Sequence, residues 1–145
     1  MPIQLIDRDM TPAELAQMNA GFDLHGQEFG VPPSVPLRLG FVALDGEVFI
    51  GCASGLANDS YRWLYLTDLF VEKAYRGQGL GAALLRKLEQ KAASIGAEHI
   101  WTWTAGYEAP GFYKKQGYTV FCEMPGWYTS GHSRVGLWKD LTASA

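Results

Sequence analysis

The chain has 145 residues, the length of one domain, and its 48% hydrophobic content supplies a core that needs no disulfide or metal staple. A net charge of −3 argues against general nucleic-acid binding, which shows a basic excess. No apolar run approaches the roughly 18 residues of a membrane span, and residues 1–9 lack the regions of a signal peptide, so the cytoplasm is the expected compartment.

In chain order, residues 3–6 read as a short strand. Thr11 and Glu14 form a capping box with Pro12 at the first helical position, which predicts a helix from 12 to about 20. Residues 21–36 are less regular and hold His25, Glu28, Phe29 and the pair Pro32–Pro33, with room for a short helix and a loop. Runs 39–44 and 48–53 flank Asp45–Gly46, a strong hairpin signal. Residues 57–60 read as a turn. Residues 63–71 are almost continuously apolar, as in a central strand covered on both faces. A helix over 79–95 repeats Leu80, Leu84, Leu88, Ala92 and Ile95 on one face and ends at Gly96. A strand at 98–104, a short helix at 108–116, and strands near 118–123 and 133–140 complete the chain. The pattern is one α/β domain with a mixed sheet.

The most informative stretch is Arg76, Gly77, Gln78, Gly79, Leu80, Gly81 and Ala82, between the apolar strand and the long helix. Glycines let a backbone approach a bulky anion, and the first amides of a helix point unpaired N–H groups at it. A Walker-type loop needs a Lys and Ser/Thr after its last glycine, and here Ala82 and Ala83 follow. The dinucleotide fingerprint has a different glycine spacing and an acidic residue about 20 positions on, where Trp103 and Thr104 end the next strand. The fitting pattern is Arg-Gly-x-Gly-x-Gly/Ala, built to hold a pyrophosphate.

With that loop, and with a second block at Ala109, Phe112, Tyr113, Lys115, Gly117 and Tyr118, the chain resembles the GNAT superfamily of acetyl-CoA-dependent N-acetyltransferases. The resemblance spans roughly 64–120. It implies a single acetyltransferase domain over 1–145, with a largely antiparallel mixed sheet of six to seven strands flanked by helices. It implies that the strand at 63–71 splays from that at 98–104. Amides of Gln78 to Ala82 would then hold the cofactor's pyrophosphate, and the edge Leu69, Phe70 and Val71 would pair with its pantetheine arm. It also implies that region 21–36 closes over the acceptor. Relatives carry asparagine at the position of Gly106, and that contact to the cofactor is expected to be weaker here.

The resemblance makes Tyr113 the general acid. A phenol with a pKa of about 10 can donate to a departing thiolate whose conjugate acid titrates near 8.5. A backbone N–H near Leu69 or Phe70 would meet the thioester oxygen. For the base, Asp68 is the carboxylate within the apolar strand, and period two sets it on the face of Leu64, Leu66 and Phe70, where burial would raise its pKa. Relatives often use a glutamate one position earlier, where this chain has Thr67, so Asp68, a water relayed through Thr67, His132, Glu108 and Glu28 all stand as candidates, and a purely structural Asp68 is an equal alternative. Trp127, Tyr128 and His132 in the 125–132 loop either wall a pocket for a cationic or planar amine, or serve surface packing or a contact between two copies in a homodimer.

Metal-ligand spacing is absent among His25, His99, His132, Cys52 and Cys122, and neither cysteine has a local histidine partner as a nucleophile. The expected function is acetyl transfer from acetyl-CoA to a primary amine of a small molecule or peptide, by direct attack in a ternary complex. The alternative is a catalytically idle acyl-CoA-binding module. A transferase of a longer acyl chain is a third reading.

Overall fold

The computed structural model describes residues 2–58 and 60–142, in two compact units that divide between Ser34 and Val35. In the first unit, residues 2–10 form no strand, in contrast to the reading of 3–6, and no strand of the sheet pairs with them. An extended segment without a ladder partner gains nothing from strand geometry. Helix α1 spans Pro12–Glu28, with the Thr11–Glu14 capping box in place. Arg8 grips Glu14 through two bonds of 2.7 and 2.8 Å, which hold the Glu14 carboxyl down at about 2. The helix passes through Gly21 and Gly26, each an unfavourable but tolerable helical residue, and so runs a full two turns beyond the predicted end. Its stop is Gly30, left-handed at φ +73, with Val31 N–H donating back to Gly26 O at 2.8 Å.

The second unit is a six-stranded sheet in the order β1-β2-β3-β4-β6-β5. The hairpin of β1 (Leu37–Asp45) and β2 (Val48–Ala57) turns at Gly46, φ +62. The turn that follows is closed by Tyr61 N–H to Asn58 O at 3.2 Å, and Asp59 of the expected 57–60 turn lies outside the described residues. Then come β3 (Trp63–Val71), α2 (Leu80–Ser94), β4 (His99–Ala105), α3 (Pro110–Lys115), β5 (Thr119–Met124) and β6 (Arg134–Asp140). All neighbours are antiparallel except β3 and β4, which the right-handed crossover expected of a β-α-β unit joins through α2.

One face of the sheet and one face of α2 make the core. Leu84, Leu85, Leu88 and Ala92 of the helix pack with Leu64, Leu66, Ile100 and Leu137 of the strands, and Tyr113 and Tyr118 close the same cluster. Each fully buried leucine contributes about 1.5–3 kcal/mol. Gly51 is needed for this approach, since a Cβ there would lie 2.7 Å from Phe70 O and 3.3 Å from Leu84 Cδ1. A polar tie joins α2 to β6: Lys139 bonds Glu89 at 3.0 Å, and Tyr118 donates to the same carboxylate at 2.7 Å.

The alternate side chains of β3 and β4 are aromatic. Tyr65 stacks on Trp101 at 4.4 Å, and Trp63 lies 5.9 Å from Trp138. Trp63 keeps 47% of its surface exposed and Phe70 40%, so β3 is not buried on both faces as its apolar run suggested. The run is apolar on that side because it is aromatic, and aromatic rings tolerate a half-wet surface.

Candidate active site

The glycine loop takes the shape its composition demands. Gly77 and Gly79 are left-handed, at φ +79 and +81, and a Cβ on either would meet nothing within 4 Å. Gly79 is the N-cap of α2, so the amides of Leu80, Gly81 and Ala82 have no carbonyl one turn back within the helix. Arg76 Nε donates to Val71 O at 2.9 Å, which fixes the guanidinium beside those amides. Tyr75, one residue earlier, reaches the β1–β2 hairpin through a 2.5 Å bond to Asp45. Together Val71, Arg76, Gly77, Gly79 to Ala82 and Phe112 line a cleft of about 280 Å³. Open space over positive-φ glycines, a helix N-terminus and one fixed cation fit a pyrophosphate.

Further into the sheet, β3 and β4 part. Their parallel pairing covers Trp63–His99, Leu64–Ile100 and Tyr65–Trp101 and then stops, although the strands continue to Val71 and Ala105. Two hydroxyls hold the parting. Thr102 Oγ1 donates to Leu66 O at 3.0 Å across the gap, in place of a ladder bond. Thr67 Oγ1 donates to Ser54 O at 3.1 Å on the other side of β3. Thr67 is an extra residue, because Asp68 pairs with Ser54 while Leu66 pairs with Gly55.

That bulge changes which way Asp68 points. Leu64 and Leu66 lie in the core, and beyond the bulge it is Leu69 and Val71 that pack against it. Asp68 and Phe70 therefore sit on the opposite face from Leu64 and Leu66, contrary to the period-two reading. Asp68 is 57% exposed and lies 3.6 Å from the guanidinium of Arg38, so the burial expected of it is absent.

Where the strands part, Thr67, Asp68, Leu69, Phe70, Thr102, Trp103, Thr104, Glu108 and Tyr113 line a polar cleft of about 230 Å³. Tyr113, from the short helix α3, is 6% exposed, and burial pushes its hydroxyl up to about 12, with Thr102 acting against the shift and Glu108 with it. The cleft thus unites Asp68, Tyr113 and the strand edge Leu69–Phe70; Val71 and Arg76 to Ala82, apart from Gln78, line or border the glycine cleft next to it.

Other candidates fall elsewhere. Cys52 is half-buried on β2, where burial and the charge of Asp68 raise its thiol pKa, the reverse of an activated nucleophile. His132 and Tyr128 do not line the cleft; they clasp Tyr107, with ring centroids 5.1 and 5.5 Å away. Trp127 takes the cation of Arg134 at 5.2 Å, and Arg134 also lies over Trp103. The aromatic loop thus buttresses the turn that carries Glu108. Gly106 belongs to the same seam: its N–H donates to Ser133 O at 2.7 Å, and a Cβ would stand 2.9 Å from Ser133 Oγ. Among the described residues no group of His, Cys, Asp and Glu could hold a metal ion, and no helix is long and apolar enough to cross a membrane.

Sequence reasoning missed Thr102, while the contacts of the aromatic loop match its packing alternative. The signal for Thr102 was present: threonines at 102 and 104 occupy the inward positions that follow Ile100, and a buried hydroxyl needs a partner.

A glycine cradle at a helix N-terminus beside parted parallel strands suits a ligand that carries a pyrophosphate and an extended arm able to pair with a strand edge. Residues 9–118 match the family described as acetyltransferase (GNAT) family, and the chain belongs to that family. Blasticidin-S acetyltransferase of Streptomyces morookaense is 34% identical over 94 residues, 61% of this chain. That match spans 66% of the relative's own length, just short of two thirds. An acetyltransferase of Bacillus cereus has the same fold, with a TM-score of 0.79 and 23% identity over 94% of this chain and 97% of its own. An aminoglycoside 6'-N-acetyltransferase solved with coenzyme A also shares the fold, with a TM-score of 0.64 and 20% identity over 97% of both chains.

Proposed function

We propose that this protein transfers the acetyl group of acetyl-CoA to a primary amine of a small molecule or peptide, by direct attack in a ternary complex. The observation that carries the reading is the adjacency of two clefts, one suited to a pyrophosphate and one lined by Asp68 and Tyr113 where β3 and β4 diverge. The family match runs across the division at Ser34, which supports reading both units as one acetyltransferase domain. The two free cysteines accord with the cytoplasm as its compartment.

Arg76 and the amides of Gln78 to Ala82 would hold the pyrophosphate, and the free edge Leu69–Val71 the amide-rich arm. Bound acetyl-CoA would supply the acyl carbon: the amine nitrogen bonds to it, the C–S bond breaks with its electron pair on sulfur, and the thiolate then takes a proton from solvent to end as a thiol. Asp68 takes the proton of the attacking nitrogen, directly or through a water held by Thr67. Tyr113 keeps its own proton throughout the neutral range, and its hydroxyl hydrogen-bonds the departing sulfur. A phenol near 12 is a weaker acid than a thiol near 8.5, so Tyr113 stabilises the sulfur's charge more than it neutralises it. The amide of Leu69, just past the bulge, is the donor suited to the carbonyl oxygen.

The test is thiol release from acetyl-CoA against a panel of primary amines, with CoA affinity measured in parallel. Amine-dependent release is the expected outcome; absence of CoA binding would overturn the reading. Thr67 at the usual glutamate position keeps the idle-module alternative open, and its mark would be tight CoA binding with no release for any amine.

A further inference from the structure

We infer that the acceptor is a free α-amino acid with an apolar side chain, its ammonium received by Asp68 and its carboxylate by Arg38. The inference rests on the acetyltransferase reading above and narrows its substrate.

Arg38 springs from β1, two strands from β3, yet its guanidinium reaches to 3.6 Å from Asp68 Oδ2. The contact is longer than a hydrogen bond. Both side chains remain more than half exposed, at 63% and 57%, and a pair of that kind adds little to stability. What it does is set a full positive charge beside the carboxylate that lines the Tyr113 cleft. A guanidinium's planar fork matches a carboxylate through two parallel bonds, and the long contact to Asp68 leaves that fork available. A ligand with ammonium and carboxylate on one carbon exchanges the single loose pair for two good ones. A polycationic amine finds no partner in Arg38 and is repelled by it.

The flanks of the pair are apolar. Phe70 follows Asp68 on the same face of β3, lines the cleft, and stacks on Phe49 at 6.4 Å with an interplanar angle of 7°. On the other side Tyr65 stacks on Trp101. An aliphatic or aromatic side chain next to the zwitterion would lie on these rings, whereas a charged one would lose solvation there.

The experiment compares acceptors that differ only in the carboxylate: phenylalanine with phenylethylamine, and leucine with isoamylamine. Initial rates of thiol release are read beside the melting temperature of the CoA complex with each compound. The expected kcat/KM for phenylalanine exceeds that for phenylethylamine by roughly 10- to 100-fold, the worth of a charged hydrogen-bonded pair. In Arg38→Gln that ratio collapses toward one, and Arg38→Lys restores part of it. Equal values for acid and amine, or a ratio unmoved in Arg38→Gln, overturn the inference and leave the acetyltransferase reading standing. Should no compound release thiol, a rise in melting temperature with the amino acid alone, lost in Arg38→Gln, supports it, and no such rise overturns it. If CoA itself gives no rise in melting temperature, both readings fall.

Discussion

The hydroxyl of Thr67 donates to the carbonyl of Ser54 at 3.1 Å, at the one place where β3 carries an extra residue against β2. This bond occupies a carbonyl that the bulge would otherwise leave without a ladder partner, and it fixes the turn of the chain that sends Asp68 outward. Thr67→Val keeps the shape and removes the donor. We expect a loss of about 1 kcal/mol by urea denaturation, recovered in Thr67→Ser, with amine-dependent turnover reduced more than the stability loss explains. Equal turnover in Thr67→Val would separate the bulge from the chemistry.

Tyr113 gives a stability prediction with a definite sign. Its folded pKa of about 12 lies above the unfolded value near 10, so the folded state holds this proton more tightly. The contribution is complete below pH 10 and is lost as pH rises through 12, for a total of about 3 kcal/mol. Tyr118, raised by burial and by the neighbouring Glu89, adds to the same alkaline decline. In Tyr113→Phe the fall in stability between pH 10 and 12 is expected to be shallower, and at pH 7 turnover should drop at least tenfold with CoA affinity little changed. A steep wild-type-like decline in the variant would show that the tyrosine is not the group that titrates.

The two glycines at the head of α2 should respond in opposite ways. Gly79 is left-handed and faces open space, so Gly79→Val strains the backbone by about 1–2 kcal/mol and fills the cradle. CoA binding by titration calorimetry is expected to vanish while the far-ultraviolet circular dichroism persists. A Cβ on Gly81 would sit 3.7 Å from Val71 Cγ2 and 3.8 Å from Phe112 Cζ, ordinary contacts, so Gly81→Ala should bind CoA nearly as the native chain does.

Most of the secondary structure could be read because each element carried two agreeing signals. The hairpin had alternating apolar residues and Asp45–Gly46; α2 had its apolar stripe and Gly96 as its stop. Helix α1 was expected to stop near residue 20 because residues 21–36 read as less regular, whereas its stop needed a left-handed residue and came at Gly30. The shape of the glycine loop and the short helix that carries Tyr113 could be read because both depend on residue type in local order. The orientation of Asp68 was not, since a bulge is a property of two strands and one sequence segment does not reveal its partner. Arg38 was missed for a related reason: it lies 30 positions from Asp68 and meets it only across the sheet.

Glu89 and Lys139 lie 50 positions apart and form a half-buried pair that Tyr118 completes. Lys139→Met leaves the carboxylate with Tyr118 alone, and we expect a loss of about 3 kcal/mol in chemical denaturation. The double variant Lys139→Met with Glu89→Leu should recover much of it, because removing both partners strands no charge. A single variant as stable as the native protein would mean that water already satisfies Glu89.

Parallel pairing of β3 with β4 ends after three residue pairs, which leaves the middle of the sheet with loose edges while its rim is fully laced. Whatever molecule inserts there completes the architecture as well as occupying a pocket. Binding free energy and folding free energy then become partly the same quantity, and the protein's resistance to proteases and heat will follow the concentration of that molecule. In a cell the abundance of the chain would act as a gauge of its own ligand supply, falling when the ligand is scarce and recovering when it returns.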